Sequence, residues 1–212
     1  MNHVFKAIIF DLDGTLVDSA SIVERVMRKW CHEKNISFSK VETSIHSSRA
    51  EDTISAIAPE LDSKAEAAKI EALERKELQG LCEIKGASAL LKQLPRERWA
   101  VATSSITDTA IAKLKAVAMP IPNTLIGADK VRSGKPDPEA YLKASEQLGF
   151  KPEDCLVFED SETGVKSALN AHCAVVIIGD NCELRHPNIL GRVGSFEEID
   201  LHIRGNTIEI RT

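Results

Sequence analysis

Short apolar runs alternate with helical segments along most of this chain, and this order constrains the fold more than any other feature of the sequence. We read the apolar runs as buried strands and the amphipathic segments between them as helices. The predicted strands are residues 4–10, 99–102, 124–126, 155–158 and 174–178. Strands that alternate with helices build a parallel sheet with helices on both faces. The sequence therefore predicts a doubly wound, Rossmann-like α/β core.

One long helical block interrupts this alternation after the first strand. It carries apolar residues at helical spacing and is rich in Ala, Glu, Lys and Leu, so we expect residues 20–83 to be wholly helical. The economical arrangement is an insertion into the core. Residues 1–18 and 84–212 would then form the core, and residues 19–83 an all-helical cap domain.

Charge and cysteine content exclude several classes of function. The net charge of −5 offers no basic field for a phosphate backbone or an anionic membrane surface, so we expect neither nucleic acid nor membrane as a partner. The five cysteines include no C-x-x-C pair and indicate reduced thiols in the cytoplasm. The apolar run at residues 7–10 is far shorter than the roughly 20 residues of a membrane span. We expect a soluble cytoplasmic protein, either a monomer or a weak homodimer.

Polar side chains follow three of the predicted strands at their carboxyl ends, where parallel sheets bind ligands. They are Asp11 and Asp13, Thr103 and Ser104, and Glu159 and Asp160, with Lys135 in a loop before the last pair. Each has a structural interpretation on its own: a turn, a helix cap or a solvated lysine. Together, carboxylates, hydroxyls and a lysine suit Mg2+ with a phosphate, because Mg2+ prefers oxygen ligands and often shares substrate phosphate.

Four segments resemble the sequence motifs of the haloacid dehalogenase-like superfamily of phosphohydrolases. They are residues 10–16 (FDLDGTL), 102–104 (ATS), 134–138 (GKPDP) and 158–160 (FED). The resemblance covers essentially the whole chain. It is closest to the subgroup that carries a helical cap after the first motif, and within it to the sugar and polyol phosphatase branch.

The resemblance implies a covalent mechanism that needs Mg2+. Asp11 would be the nucleophile and form an aspartyl-phosphate. Asp13 would protonate the leaving alcohol and then deprotonate water, provided that its pKa is raised enough to hold a proton. Mg2+ would be held by the Asp11 carboxylate, the Asp13 backbone carbonyl and Asp160, with Glu159 nearby or acting through water.

The same resemblance implies which groups bind phosphate. Thr103 would hydrogen-bond a phosphate oxygen, helped by the amide of Ser104 at a helix N-terminus. Lys135 would place a positive charge on the phosphate and the nucleophile.

Selectivity is expected from the cap, in the polar link at residues 45–52. Arg49 would grip a phosphate or a sugar hydroxyl, although it could equally pair with Glu51 or Asp52 at the surface. His46 would bind a hydroxyl or only orient the loop.

The expected activity is therefore Mg2+-dependent hydrolysis of a small sugar or polyol phosphomonoester. A phosphomutase is the alternative, since it would use the same Asp11 but return the phosphoryl group to a sugar. Ser48 and Arg49 followed by an acidic pair resemble the mutase cap loop, whereas Ile106 replaces the lysine expected there. A binding module without catalysis is a further alternative.

Overall fold

A six-stranded parallel sheet forms the centre of the fold in the computed structural model, which describes residues 3–42, 44–45 and 48–211. In chain order the strands are β1 (His3–Phe5), β2 (Ala7–Phe10), β3 (Val17–Asp18), β4 (Cys82–Glu83), β5 (Trp99–Ala102), β6 (Thr124–Ile126), β7 (Cys155–Glu159), β8 (Ala174–Ile178), β9 (Ile189–Val193), β10 (Asp200–Arg204) and β11 (Thr207–Arg211). The central sheet has the order β6-β5-β2-β7-β8-β9. The predicted α/β fold class is confirmed.

Seven α-helices accompany these strands in the described part of the chain. They are α1 (Ala20–Glu33), α2 (Ala50–Ile57), α3 (Ser63–Glu74), α4 (Ala87–Gln93), α5 (Thr107–Ala116), α6 (Glu139–Leu148) and α7 (Glu162–Asn170). Two apolar clusters fill the two faces of the sheet. One contains Phe10, Trp99 and Phe158, and the other contains Ile9 and Tyr141.

Strand β2 lies in the middle of the sheet because all four of its residues are apolar and buried. Phe10 pairs with Val101 of β5 on one side and with Phe158 of β7 on the other. Parallel pairing in this register places the carboxyl ends of the three strands side by side. Every polar group that follows them therefore reaches the same edge of the sheet.

The helices α1, α2 and α3 enclose a third apolar cluster, which lies apart from the sheet. Trp30, Ile54 and Ile70 are each at most 1% exposed at its centre. The chain enters this helical unit through β3 and leaves it through β4. These two short strands pair antiparallel, with Val17 opposite Glu83 and Asp18 opposite Cys82.

The structure corrects three details of the sequence analysis. Residues 4–10 are two strands rather than one, because the backbone N–H of Lys6 leaves the ladder and donates to Asp154 O at 2.8 Å. The block at residues 20–83 is not wholly helical, since β4 closes it. The predicted strands end at residue 178, but three more strands follow, and the last of them, β11, lies between β1 and β10.

Helix α5 begins without a side-chain N-cap. Ile106 occupies the N-cap position and makes no side-chain bond to the helix. The amide of Thr107 is satisfied instead by Asp129, at 2.7 Å. Among the residues that the structure describes, no helix combines the length and the apolarity needed to cross a lipid bilayer.

Candidate active site

Asp11 stands at the carboxyl end of the central strand. Its backbone N–H donates to Phe158 O at 3.0 Å, which extends the pairing of β2 with β7 by one residue. Its carboxylate is nearly buried, with 5% of the residue exposed, and Oδ1 lies 2.6 Å from the Nζ atom of Lys135. A carboxylate held this way has a fixed direction and a charged neighbour.

Lys135 is the cation at the floor of this edge. Its Nζ atom lies 2.6 Å from Asp11 Oδ1 and 2.6 Å from Glu159 Oε1, and it stands 5.1 Å from the centre of the Tyr141 ring. Burial lowers the pKa of Lys135, but the charges of Asp11 and Glu159 outweigh this and raise it. Lys135 therefore stays protonated at any pH at which the protein works.

Glu159 lies fully buried beneath the other groups. Its Oε1 atom accepts from Lys135 and from Tyr141 Oη at 3.0 Å, and its Oε2 atom accepts from the amides of Asp160 and Ser161 at 2.9 Å. Both oxygens are thus occupied by the protein. Glu159 acts here as a fixed support for Lys135 and for the turn that carries Asp160.

Asp160 approaches the backbone closely at Gly14. A Cβ atom at Gly14 would overlap the Asp160 carboxylate, and Gly14 adopts a left-handed φ of +83°. Glycine satisfies both conditions at once, because it has no Cβ and tolerates positive φ. This explains the D-x-D-G order after β2.

The acidic groups outnumber the available cation. One oxygen from each of Asp11, Glu159 and Asp160 lies within 4.8 Å of the others, with Lys135 as their shared counter-charge. Burial and the charge of Glu159 raise the pKa of Asp160 to about 9, and burial raises that of Asp11 to about 7 despite Lys135. Such raised pKa values indicate a place for a further positive charge, and oxygen donors of this kind suit Mg2+.

Asp13 is held by three partners on the opposite side of the turn. Its Oδ1 atom accepts from Ser19 Oγ at 2.5 Å and from Lys113 Nζ at 2.7 Å, and its Oδ2 atom accepts from Ser105 Oγ at 3.0 Å. Burial raises the pKa of Asp13, but the charge and hydrogen bonds of Lys113, with both hydroxyls, outweigh it and lower the pKa. The raised pKa that the sequence analysis required is not found in this arrangement.

Lys113 is the main polar group of the site that the sequence analysis missed. It is 1% exposed, and besides Asp13 it pairs with Glu74 of the cap helix α3 at 3.0 Å. A signal was present in the sequence. Lys113 falls beside Leu114 and one turn after Ala110, on the buried stripe of an amphipathic helix, where a lysine needs an anionic partner.

The predicted phosphate-binding residues lie after β5, across the site from Asp160. Thr103 is 3% exposed, and its backbone N–H donates to Ile126 O at 2.9 Å. Its Oγ1 atom accepts the amide of Ser105 at 3.1 Å. Ser104 is partly exposed and precedes the first residue of α5 by three positions.

The two predicted cap residues have different outcomes. Arg49 makes a bidentate pair with Asp52, with both N–O distances at 2.6 Å, and donates to Arg132 O at 3.3 Å. This pair packs on Gly134, where a Cβ atom would lie 2.7 Å from Arg49 Nε. Arg49 is not among the residues that line the cavity described next. His46 lies outside the described residues.

A cavity of about 810 Å³ separates the sheet edge from the helical unit. From the core it is lined by the predicted residues Asp11, Asp13, Thr103, Ser104, Lys135 and Asp160. From the cap it is lined by Val23, Met27, Ile45, Ser48, Ala50, Thr53, Ile70, Glu71 and Glu74. The structure thus brings six predicted site residues together around one space.

Comparison with known proteins shows the family of the chain. Residues 8–178 match the family model described as haloacid dehalogenase-like hydrolase. Hexitol phosphatase A of Escherichia coli (strain K12) is 37% identical over 178 residues, which is 82% of each chain. Glycerol-1-phosphate phosphohydrolase 1 of Saccharomyces cerevisiae is 32% identical over 193 residues, covering 84% of this chain and 76% of the other.

A solved structure shows the same fold. CbbY from Rhodobacter sphaeroides in complex with phosphate superposes with a TM-score of 0.81 at 20% identity. The superposition covers 92% of this chain and 96% of the other. The agreement includes the helical unit as well as the sheet, since these shares leave little of either chain unmatched.

Proposed function

The chain belongs to the haloacid dehalogenase-like hydrolases and is a phosphoric monoester hydrolase, and we propose that it hydrolyses a small sugar or polyol phosphomonoester in a Mg2+-dependent reaction. The observation that carries this proposal is the grouping of Asp11, Lys135 and Asp160 at the floor of the cavity, with Asp13 beside them. This grouping pairs a directed carboxylate with a site for positive charge.

Asp11 is the proposed nucleophile. An oxygen of its carboxylate forms a bond to phosphorus while the bond from phosphorus to the leaving alcohol breaks, which gives an aspartyl-phosphate. Lys135 lies against Asp11 and offers its charge to the phosphoryl oxygens as they approach. A lysine at this position reduces the repulsion between two anions.

Asp13 is the proposed acid and base. It gives a proton to the leaving alcohol oxygen, and later takes a proton from the water that attacks phosphorus and releases Asp11. The contact with Lys113 favours the carboxylate form of Asp13, which is the form needed for the second half. The negative charge of a bound phosphomonoester opposes ionisation of Asp13, and this favours the protonated form needed in the first half.

The proposed metal ligands are the carboxylates of Asp11 and Asp160 with the backbone carbonyl of Asp13. Glu159 supports them indirectly, since both its oxygens already accept hydrogen bonds. Bound Mg2+ would supply charge stabilisation for the transferring phosphoryl group. Thr103 and Ser104 would bind the oxygens of the phosphoryl group that the metal leaves free.

The size of the cavity supports a small substrate. A volume of about 810 Å³ falls in the range of small-molecule sites. The relatives named for hexitol and glycerol phosphates point to the same class.

We propose the cytoplasm as the location of the protein and a monomer or weak homodimer as its oligomeric state. All five cysteines are free thiols, as a reducing compartment requires.

The test is phosphate release from a panel of esters with and without Mg2+. The panel contains glycerol phosphates, hexitol phosphates, hexose 1- and 6-phosphates, nucleotides and 4-nitrophenyl phosphate. We expect Mg2+-dependent release from a small sugar or polyol ester, none from Asp11→Asn, and full release from Asp108→Asn, an exposed control on α5. Conversion of a hexose 1-phosphate to its isomer without phosphate release would establish the mutase alternative instead.

A further inference from the structure

Glu71 of α3 forms part of the cap wall of the cavity. The residue is 6% exposed. Its Oε1 atom accepts the backbone N–H of Ile106 at 3.3 Å, which anchors the side chain to the core. Its Oε2 atom is buried and has no hydrogen-bond partner among the residues that the structure describes.

The charges around Glu71 do not supply that missing partner. Glu74 lies one turn further along α3, and its carboxylate pairs with Lys113. Lys113 already holds Asp13 and Ser105 as well. Burial and the charge of Glu74 raise the pKa of Glu71 to about 7, because together they outweigh the Thr109 hydroxyl, the charge of Lys113 and the Ile106 amide, which act to lower it. The local environment thus opposes a charged Glu71 instead of balancing it.

A buried carboxylate oxygen without a donor is costly, so its presence in a ligand cavity needs an explanation. The other cap groups do not compete for the same role. Thr53 donates to Ser44, and Arg49 is held by Asp52. Four apolar residues line the same cavity as Glu71 from the helical unit: Val23, Met27, Ile45 and Ile70. A carbon chain that carries a hydroxyl fits such a surface, with its carbons on the apolar wall.

We propose that Glu71 is a specificity-determining residue that accepts a hydrogen bond from a hydroxyl on the carbon chain of the substrate. The inference rests on the proposed phosphatase function and narrows its substrate class. The site selects phosphomonoesters that carry a hydroxyl beyond the phosphate-bearing carbon over alkyl phosphates of the same length.

The test compares esters that differ only in hydroxyl groups. Glycerol 1-phosphate is paired with propyl phosphate, and sorbitol 6-phosphate with hexyl phosphate, and kcat/KM is measured for each. The wild-type protein is expected to prefer one hydroxylated ester over its alkyl partner. In Glu71→Ala this preference falls roughly 10- to 100-fold at pH 8, where Glu71 is ionised, and this is the worth of one hydrogen bond to a charged group. The alkyl ester keeps its kcat/KM, because it makes no such bond.

Glu60→Ala is the matched control, since Glu60 is an exposed carboxylate of the same cap and should leave the preference intact. An unchanged preference in folded Glu71→Ala, or equal losses for both esters, would overturn the inference while leaving the phosphatase function standing. If Glu71→Ala does not fold, Glu71→Gln and Glu71→Asp decide by the same ratio. A wild-type protein that hydrolyses none of these four esters overturns the inference, whereas the proposed function is overturned only if no sugar or polyol ester of the full panel releases phosphate.

Discussion

The Nζ atom of Lys113 lies 2.7 Å from Oδ1 of Asp13, so a lysine on α5 controls the charge of the proposed acid–base carboxyl. The same Nζ atom lies 3.0 Å from Glu74 Oε2, at the end of α3. Lys113 therefore forms ion pairs with one carboxylate from the core and one from the cap. A buried cation in this position costs little free energy only while both anions are present.

Replacing Lys113 by Met is expected to raise the pKa of Asp13, because burial then acts without the opposing charge. The attack of water on the aspartyl-phosphate needs Asp13 in its carboxylate form. The acidic limb of the kcat profile should therefore move toward neutral pH by about 1 unit or more. The measurement is kcat between about pH 5 and pH 9, with the exposed Lys115→Met as control. An unshifted limb in a folded variant would remove Asp13 from the base role.

Asp11→Asn is expected to abolish turnover and preserve the fold, because the amide is a poor nucleophile of nearly the same shape. Thermal unfolding and phosphate release should be measured on the same preparation. Near-normal release by the folded variant would contradict the covalent mechanism.

Asp160→Asn should weaken activation by Mg2+. In the absence of a metal the pKa of Asp160 is about 9, so Mg2+ must displace a proton at neutral pH. The Mg2+ affinity of the wild-type protein should consequently rise with pH, by about tenfold per unit for each displaced proton, until the pH passes about 9. Calorimetric titration at several pH values checks both points, with the exposed Asp180→Asn as control. The same affinity for Mg2+ in Asp160→Asn would exclude Asp160 as a ligand.

Gly14→Ala should damage the metal site without replacing a charged group. The new Cβ would overlap the Asp160 carboxylate, and the backbone there has a φ of +83°. A non-glycine residue in that conformation costs about 1 kcal/mol or more. We expect a lower melting temperature and weaker Mg2+ activation. Gly149→Ala is the control, since Gly149 has a φ of +77° but no atom within 4 Å of its Cβ position, and it should lose stability only.

Glu71→Gln should stabilise the protein in a pH-dependent way. The pKa of Glu71 rises from 4.5 to about 7 on folding, so the folded state binds its proton more tightly than the unfolded state. The folded state is thus favoured below pH 4.5 and loses that advantage as the pH rises through about 7. Glutamine carries no charge, so Glu71→Gln removes this loss of stability. At pH 8 the free energy of unfolding of the variant should exceed that of the wild type by about 1 to 3 kcal/mol. Denaturant unfolding at pH 5 and pH 8 measures it; an equal effect at both would contradict the assigned ionisation.

The sequence was sufficient to predict the residues whose place depends on a strand end. Asp11 and Asp160 each follow a buried apolar strand, and parallel pairing brings such ends together whatever the details of the helices. Lys135 was expected at the same edge because its loop lies between two of these strand ends, and the resemblance supplied its role. Its contacts with Asp11 and Glu159 then came from the fold.

Contacts between residues far apart in the sequence could not be predicted in the same way. Lys113 and Asp13 are 100 positions apart, and their approach depends on how α5 packs on the sheet. The orphan oxygen of Glu71 likewise depends on the docking of α3 against α5. The pairing of β11 with β1 joins the two ends of the described chain, and no local pattern identifies such a partner.

The antiparallel pair of β3 and β4 carries a consequence for how such enzymes evolve. The chain leaves the core at Asp18 and returns at Cys82, and these two residues face each other across one pair of strands. The separation of the two junctions is set by this pairing and is independent of what lies between them. An insert of another length or topology can be joined at the same points without moving Asp11 or Lys135. Substrate selectivity can therefore change through exchange of the inserted helical unit. The chemistry can change independently, through substitutions at the sheet edge.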